Sequence, residues 1–482
     1  MLTKTYLKRI AQSFLFLFTI LFLPYANAEL NLELPGLNLP TLGGQSNRFI
    51  TASKARQQGF KTLRAMRRSN QTVEDPEINL WIRSLGNKLV SNAPQSSTPL
   101  YFIISKKQSI NAFATFGGVI VVNIGLILET DTESELAAVL AHEIAHVTQN
   151  HISRMLEKAS ANKFATSAAV FAGILASSKD PQAGQAILSA TLATMAHKQL
   201  SFSREAETEA DRVGLRILSR SGFNPIGMPS FLKKLERFNN KKNISVTEYL
   251  RSHPLTFKRI VDTQNRAKRL GVFHRRENSN YLYMREKLRY LVQSNTSSPN
   301  NLPINIKRYA KAEKLNHQRN YALALKFTSN FSKKIPEVLL ITELQNKQRK
   351  YQQTIRILKP LVAIYPGDEA LSISLANAYL GVRQAKQAWL VLNDVTVSEQ
   401  TSLEYFDIYQ KAAKFSGKTS QAYRAVANRN IRIGSYKAAA YQLRQAMKFP
   451  DATGSELLLM QKELSIVEDL LEESQRKDEL QY

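Results

Sequence analysis

The stretch Thr132-Glu133-Ser134-Glu135-Leu136-Ala137-Ala138-Val139-Leu140-Ala141-His142-Glu143-Ile144-Ala145-His146 joins an apolar helical run to a His-Glu-x-x-His pattern. Thr132 and Glu135 have capping-box spacing, which starts the helix near Asp131 or Thr132. Each helical residue turns about 100°, so His142 and His146, four apart, stand on nearly one face and can reach a single cation. Glu143 then lies beside the attacking water and not on the metal. In that arrangement a zinc ion acidifies the water and polarises a scissile carbonyl while Glu143 takes the proton. The competing reading, a surface helix carrying two unrelated histidines, loses ground once a third ligand is found.

His151 is a tempting third ligand, but nine residues beyond His142 on a continuing helix puts it about 180° around, so it reads as structural. A metzincin would need histidine where Ile152 stands and glycine where Gln149 stands. The stretch Ser203-Arg204-Glu205-Ala206-Glu207-Thr208-Glu209-Ala210-Asp211 is better placed. It opens a helix capped near Ser201 or Ser203 and stopped by Gly222 and Pro225. Glu207 and Asp211 share a face, so Glu207 can bind zinc while Asp211 accepts a hydrogen bond from a ligand histidine and fixes its tautomer. Glu205 with Glu209 is the competing pair and reads as solvated charge.

Upstream, Lys4, Lys8 and Arg9 precede the apolar run Phe14 to Leu23 and then Ala26-Asn27-Ala28. This is the order of a cleavable secretory signal, with cutting expected after Ala28. The run falls short of the roughly 20 residues a spanning helix needs. With Cys 0, the composition excludes a lipid-bearing cysteine, a disulfide framework and a thiolate-bound metal. The expected compartment is a bacterial periplasm. The formal charge is +27, and the three positive charges of residues 1–28 removed, +24 remains. Outside the cytoplasm such a surface favours acidic proteins or peripheral contact with an acidic membrane surface, and not nucleic acid; it also serves solubility alone.

Residues 29–46 read as an extended leader, and Arg48 to Met66 and Asp75 to Ala93 as helices. Leu100 to Ser105 and Gly118 to Asn123 carry strand signals. Between them, Asn111-Ala112-Phe113-Ala114 is the candidate edge strand beside the cleft, where exposed backbone groups could pair with an extended substrate. An ordinary hairpin is the alternative. Ala161 to Ala176 and Ala183 to Ala196 suggest a helical hairpin over the cleft or plain core packing.

His142-Glu143-Ile144-Ala145-His146 together with Glu207-Thr208-Glu209-Ala210-Asp211 resembles the gluzincin metallopeptidases of family forty-eight, the group of the CAAX prenyl proteases. The signal, the Asn111-Ala112-Phe113-Ala114 segment and the Ser252-His253-Pro254 loop are similar to its periplasmic branch. The resemblance implies that Glu207 is the third zinc ligand and that His253 is a regulatory fourth ligand, occupying the position catalysis needs for water. It implies a protease for outer-membrane β-barrel proteins, acting on unfolded or stalled precursors and assisting their assembly. Its partner is then the β-barrel assembly machinery. A lone histidine before proline would otherwise read as a surface residue.

From Ile304 the sequence changes to helix pairs. Tyr321, Tyr351 and Tyr436 open second helices, and Pro336 and Pro366 close them, at close to the roughly 34 residues of a tetratricopeptide unit. The expected fold is an α+β zincin-type metallopeptidase domain over residues 47–271, a linker over 272–303, and an all-α tetratricopeptide solenoid over 304–482. A chaperone or docking protein with a latched zinc site is the alternative function, and a helical-repeat adaptor a third. Glu143 discriminates, since a structural zinc needs no base beside it.

Overall fold

The computed structural model describes residues 52–96, 98–115, 117–155, 203–241, 244–271, 279–292 and 298–479. The expected signal, the leader and the Ala161–Ala196 hairpin lie outside these residues. The sheet comes first because it sets the site. Three strands, β1 (Tyr101–Ser105), β2 (Ala112–Ala114) and β3 (Val119–Asn123), lie in the order β1-β3-β2. β1 runs parallel to β3 from Tyr101 opposite Val119 to Ser105 opposite Asn123. β2 runs antiparallel to β3, with Phe113 opposite Val121. The run before the motif helix, β3, is therefore central, and the Asn111–Ala114 segment forms the edge.

Alternation assigns the two faces. Phe102, Ile104, Ile120 and Val122 join the main core, while Ile103, Val119 and Val121 meet Phe60 and Leu63 of the first helix, Ala52–Arg68. Pro76–Val90 follows, with Asp75 accepting from the Ile78 amide at 3.0 Å, and buries Ile78, Trp81, Ile82, Leu85 and Leu89.

The motif helix spans Glu133–Thr148. Thr132 caps it by accepting from the Glu135 amide at 3.2 Å, and Glu135 accepts from the Asp131 amide at 2.8 Å. Lys234, itself buried, bonds Asp131 at 2.7 Å and Glu135 at 2.9 Å. A second helix, Arg204–Arg220, is capped by Ser203 and crosses the motif helix closely. Gly214 makes the approach possible: a Cβ there would sit 3.2 Å from the Ala141 carbonyl oxygen and the His142 nitrogen. Gly214→Val is expected to push the two helices apart and destabilise the fold by about 1–3 kcal/mol, read as a fall in the denaturant midpoint together with weaker metal retention.

The segment expected as a linker holds a core helix, Ser279–Val292, whose Tyr281, Tyr283, Met284 and Leu288 are buried. Its basic residues misled the sequence reading because they are paired: Lys287 bonds Asp75 at 2.8 Å and Glu77 at 2.7 Å. Beyond it come antiparallel helix pairs, from Ile304–His317 to Gly454–Glu479. Left-handed residues recur at the turns between paired helices, among them Arg349 (φ 60°), Arg383 (φ 60°) and Gly417 (φ 78°). The amide that follows each bonds back to the helix it leaves: Lys350 to Gln345, Gln384 to Tyr379 and Lys418 to Ala413, at 2.8–2.9 Å. The described residues fall within one compact unit, and the first helix ties the pairs to the sheet. Arg67 donates to the Glu399 carbonyl at 3.0 Å, and Arg68 to those of Ile433 and Gly434 at 3.0 and 2.9 Å.

Candidate metal centre

Four side chains converge under the sheet edge: His142, His146, Glu207 and His253, each 3% exposed or less. Their nearest ligand atoms lie at matching separations. His142 Nε2 is 3.0 Å from His146 Nε2 and 3.4 Å from His253 Nδ1. Glu207 Oε1 is 3.3 Å from His146 Nε2 and 3.0 Å from His253 Nδ1. A tetrahedral ion with bonds of about 2.0–2.1 Å holds its donors roughly 3.3–3.4 Å apart, so the cage fits a small divalent cation.

Each ligand is oriented from behind. His142 Nδ1 lies 3.1 Å from Asp211 Oδ1. Asp211 is gripped in turn by Arg259, through Nε at 2.7 Å and a terminal nitrogen at 2.9 Å. The same guanidinium reaches Glu207 Oε2 at 2.6 Å and the Pro254 carbonyl at 3.0 Å. Sequence reasoning missed Arg259, which comes from the helix Phe257–Leu270 that follows the His253 loop and carries no motif of its own.

The reading of His151 also needs correction. The motif helix stops at Thr148, and Asn150 turns left-handed (φ 54°), so the angular count along a continuing helix does not apply. The turn at 149–150 redirects the chain and sets His151 Nδ1 at 2.8 Å from His146 Nδ1. Nor is Glu209 merely solvated charge: its Oε2 lies 3.1 Å from His151 Nε2 and 3.0 Å from Arg154.

Electrostatics match this layout. Burial opposes a charge on His142, but Asp211 and Glu207 outweigh it and push its pKa up to about 10. The cluster therefore calls for positive charge, which a proton or a bound cation supplies. Burial also opposes ionisation of Asp211, yet the Arg259 guanidinium holds its carboxyl below the usual range. Glu143 differs: burial pushes its carboxyl up, and its Oε1, 3.5 Å from His253 Nε2, has no hydrogen-bond donor among the described residues. Its Oε2 accepts from the Ala114 amide at 3.1 Å. A buried carboxylate with one open oxygen is suited to take a proton and return it.

The edge strand stands next to this base. The Asn123 amide donates to the Asn111 carbonyl at 2.9 Å and the Thr115 amide to the Val119 carbonyl at 2.7 Å. Antiparallel alternation then turns the backbone groups of Ala112 and Ala114 outward, away from β3. Of the candidate edge residues, Ala114 reaches Glu143, Phe113 packs with Phe60 and Leu63 on the other face of the sheet, and Asn111 is buried just ahead of the strand.

Residues 76–267 match Peptidase family M48. The β-barrel assembly-enhancing protease of Yersinia pestis is 32% identical over 457 residues, covering 87% of this chain and 93% of that protein. That of Escherichia coli (strain K12) is 30% identical over 446 residues, covering 84% and 90%. Metalloprotease LoiP of the same strain is 27% identical over 194 residues, covering 40% of this chain and 71% of LoiP.

Proposed function

The chain belongs to peptidase family M48, among the β-barrel assembly-enhancing proteases, and from that premise we propose that it is a periplasmic zinc metalloendopeptidase that degrades misassembled outer-membrane β-barrel proteins and assists their assembly. The observation that carries this reading is the four-donor cage with Glu143 and the edge strand beside it, whose Ala114 amide bonds that glutamate. His142, His146 and Glu207 hold the metal, and three nitrogen-or-carboxylate donors without thiolate suit zinc. Zinc bound there would acidify a water and polarise the scissile carbonyl.

The chain's own groups do the rest. The carbonyl of half-buried Ala114 pairs with an extended peptide, which gives affinity with little demand on sequence and suits unfolded clients. Glu143 takes the proton of the attacking water through its open Oε1 and passes it to the leaving amine. The Ala114 amide keeps the other carboxylate oxygen aimed, and Asp211 keeps His142 in the tautomer that presents Nε2. His253 holds the site at rest by taking a fourth position.

The repeats read as tetratricopeptide units. The left-handed turn residues at 349, 383 and 417 are 34 residues apart, the length of such a unit. A stack of these pairs offers a concave surface for the client or the assembly machinery. Periplasmic placement is supported by the charged, apolar, small-residue order of residues 1–28, and among the described residues no helix is long and apolar enough to cross a membrane.

The ligand assignment has a direct test. Glu207→Gln is expected to lower the zinc content of purified protein roughly tenfold or more, whereas Glu205→Gln, at an exposed position of the same helix, leaves it at the parent value. Elemental analysis giving the reverse pattern moves the ligand.

A further inference from the structure

We propose that His151 and Glu209 are positioning residues: a relay from His146 Nδ1 through the His151 ring to Glu209 that fixes which nitrogen His146 turns toward the metal. The inference rests on His146 being a ligand, as argued above.

The geometry permits one arrangement of protons. His146 Nε2 faces the cage, 3.0 Å from His142 Nε2 and 3.3 Å from Glu207 Oε1. An imidazole that gives its Nε2 lone pair to a cation carries its proton on Nδ1, so Nδ1 donates. The atom 2.8 Å away is His151 Nδ1, which must then accept. His151 in turn carries its proton on Nε2 and donates it to Glu209 Oε2 at 3.1 Å. With His146 Nε2 committed to a cation, any other assignment sets two protons or two lone pairs against each other across one of these contacts.

The relay is built and not incidental. The left-handed turn at Asn150 sets His151 against the ring of His146, where it is 3% exposed. Arg154 fastens the far end, donating to Glu209 at 3.0 Å and to the Gln149 carbonyl at 2.8 Å. Two supports thus hold the two ligand histidines. Asp211 bonds His142 directly, whereas Glu209 reaches His146 through a neutral ring. The acidic helix serves both, since Glu207, Glu209 and Asp211 all lie within its first turns.

The test uses the full chain, zinc-loaded and metal-free, in four variants. His151→Phe keeps the ring and removes both bonds; His151→Asn restores an acceptor near the Nδ1 position; Glu209→Gln removes the charge at the far end; His146→Ala checks the ligand itself. Zinc affinity is read by competition with a colorimetric chelator, kcat and KM on an unfolded protein substrate, and Tm on the metal-free protein. We expect His151→Phe to bind zinc about 10- to 100-fold more weakly, with kcat reduced, KM at the parent value and metal-free Tm unchanged. Asn should recover most of the affinity and Glu209→Gln should lose part of it. Parent zinc affinity in His151→Phe, or an Asn variant as weak as Phe, overturns the relay. Should the Phe variant fold poorly, parent affinity in Glu209→Gln overturns it equally. If His146→Ala itself keeps parent affinity, the ligand assignment fails, a result distinct from failure of the relay alone.

Discussion

Glu143→Gln is expected to remove proteolysis while leaving zinc and fold in place. Glutamine has nearly the same shape, so it keeps the bond from the Ala114 amide, which now ends on the amide oxygen. What it lacks is an oxygen that can take a proton. General-base catalysis contributes about 10²- to 10⁴-fold, and the loss in kcat should fall in that range. Stability should not fall with it. Burial already pushes the Glu143 carboxyl up, so the folded chain gains little from the ionised form. The sign is that of a raised acid: its stabilising share is present below the unfolded pKa and fades as pH rises through the folded one. The neutral amide removes that penalty at neutral pH. The checks are zinc content, Tm and turnover of an unfolded barrel protein measured on the same preparation. Retained turnover with zinc bound would remove Glu143 from the mechanism and return weight to a docking protein with a latched metal.

What the sequence made legible, and what it hid, follows from the range of the interactions. His142, Glu143, His146, Glu207 and Asp211 were readable because each pair sits on one helix, where spacing fixes the shared face. The cap at Thr132 and the stop at Gly222 were local too. Arg259 was hidden because its partners, Asp211 and Glu207, are about fifty residues away and only the tertiary crossing unites them. His151 was misplaced for a different reason: the angular argument assumed a helix that the left-handed Asn150 ends. The helix Ser279–Val292 was lost among charges whose burial depends on Asp75 and Glu77, some two hundred residues upstream. His253 entered through family resemblance, since no local rule ties a histidine in a loop to a metal.

That loop carries the other large effect. His253→Ala is expected to raise cleavage of unfolded clients, because the structure sets His253 Nδ1 inside the donor cage, 3.0 Å from Glu207 Oε1 and 3.4 Å from His142 Nε2. An imidazole there takes the place of the water that Glu143 needs. The resting position is well supported: the Tyr249 ring lies 4.8 Å from that of His253, and Arg259 holds the Pro254 carbonyl. If the open state is ~1–10% populated, removing the imidazole should raise turnover about 10- to 100-fold, since activity scales with the competent fraction. Zinc should stay, held by His142, His146 and Glu207. The opposing idea gives His253 a direct part in the reaction, as a donor toward the oxyanion, and it draws on the other ring nitrogen, Nε2, which lies 3.5 Å from Glu143 Oε1. Deleting such a donor slows the reaction. The two roles therefore forecast opposite signs in a single assay. Faster cleavage by zinc-loaded His253→Ala, with increased self-cleavage, supports a histidine that restrains the enzyme. Slower cleavage at full zinc content places His253 among the catalytic residues, and the resting contact in the cage would then be a position the side chain leaves when a client is bound.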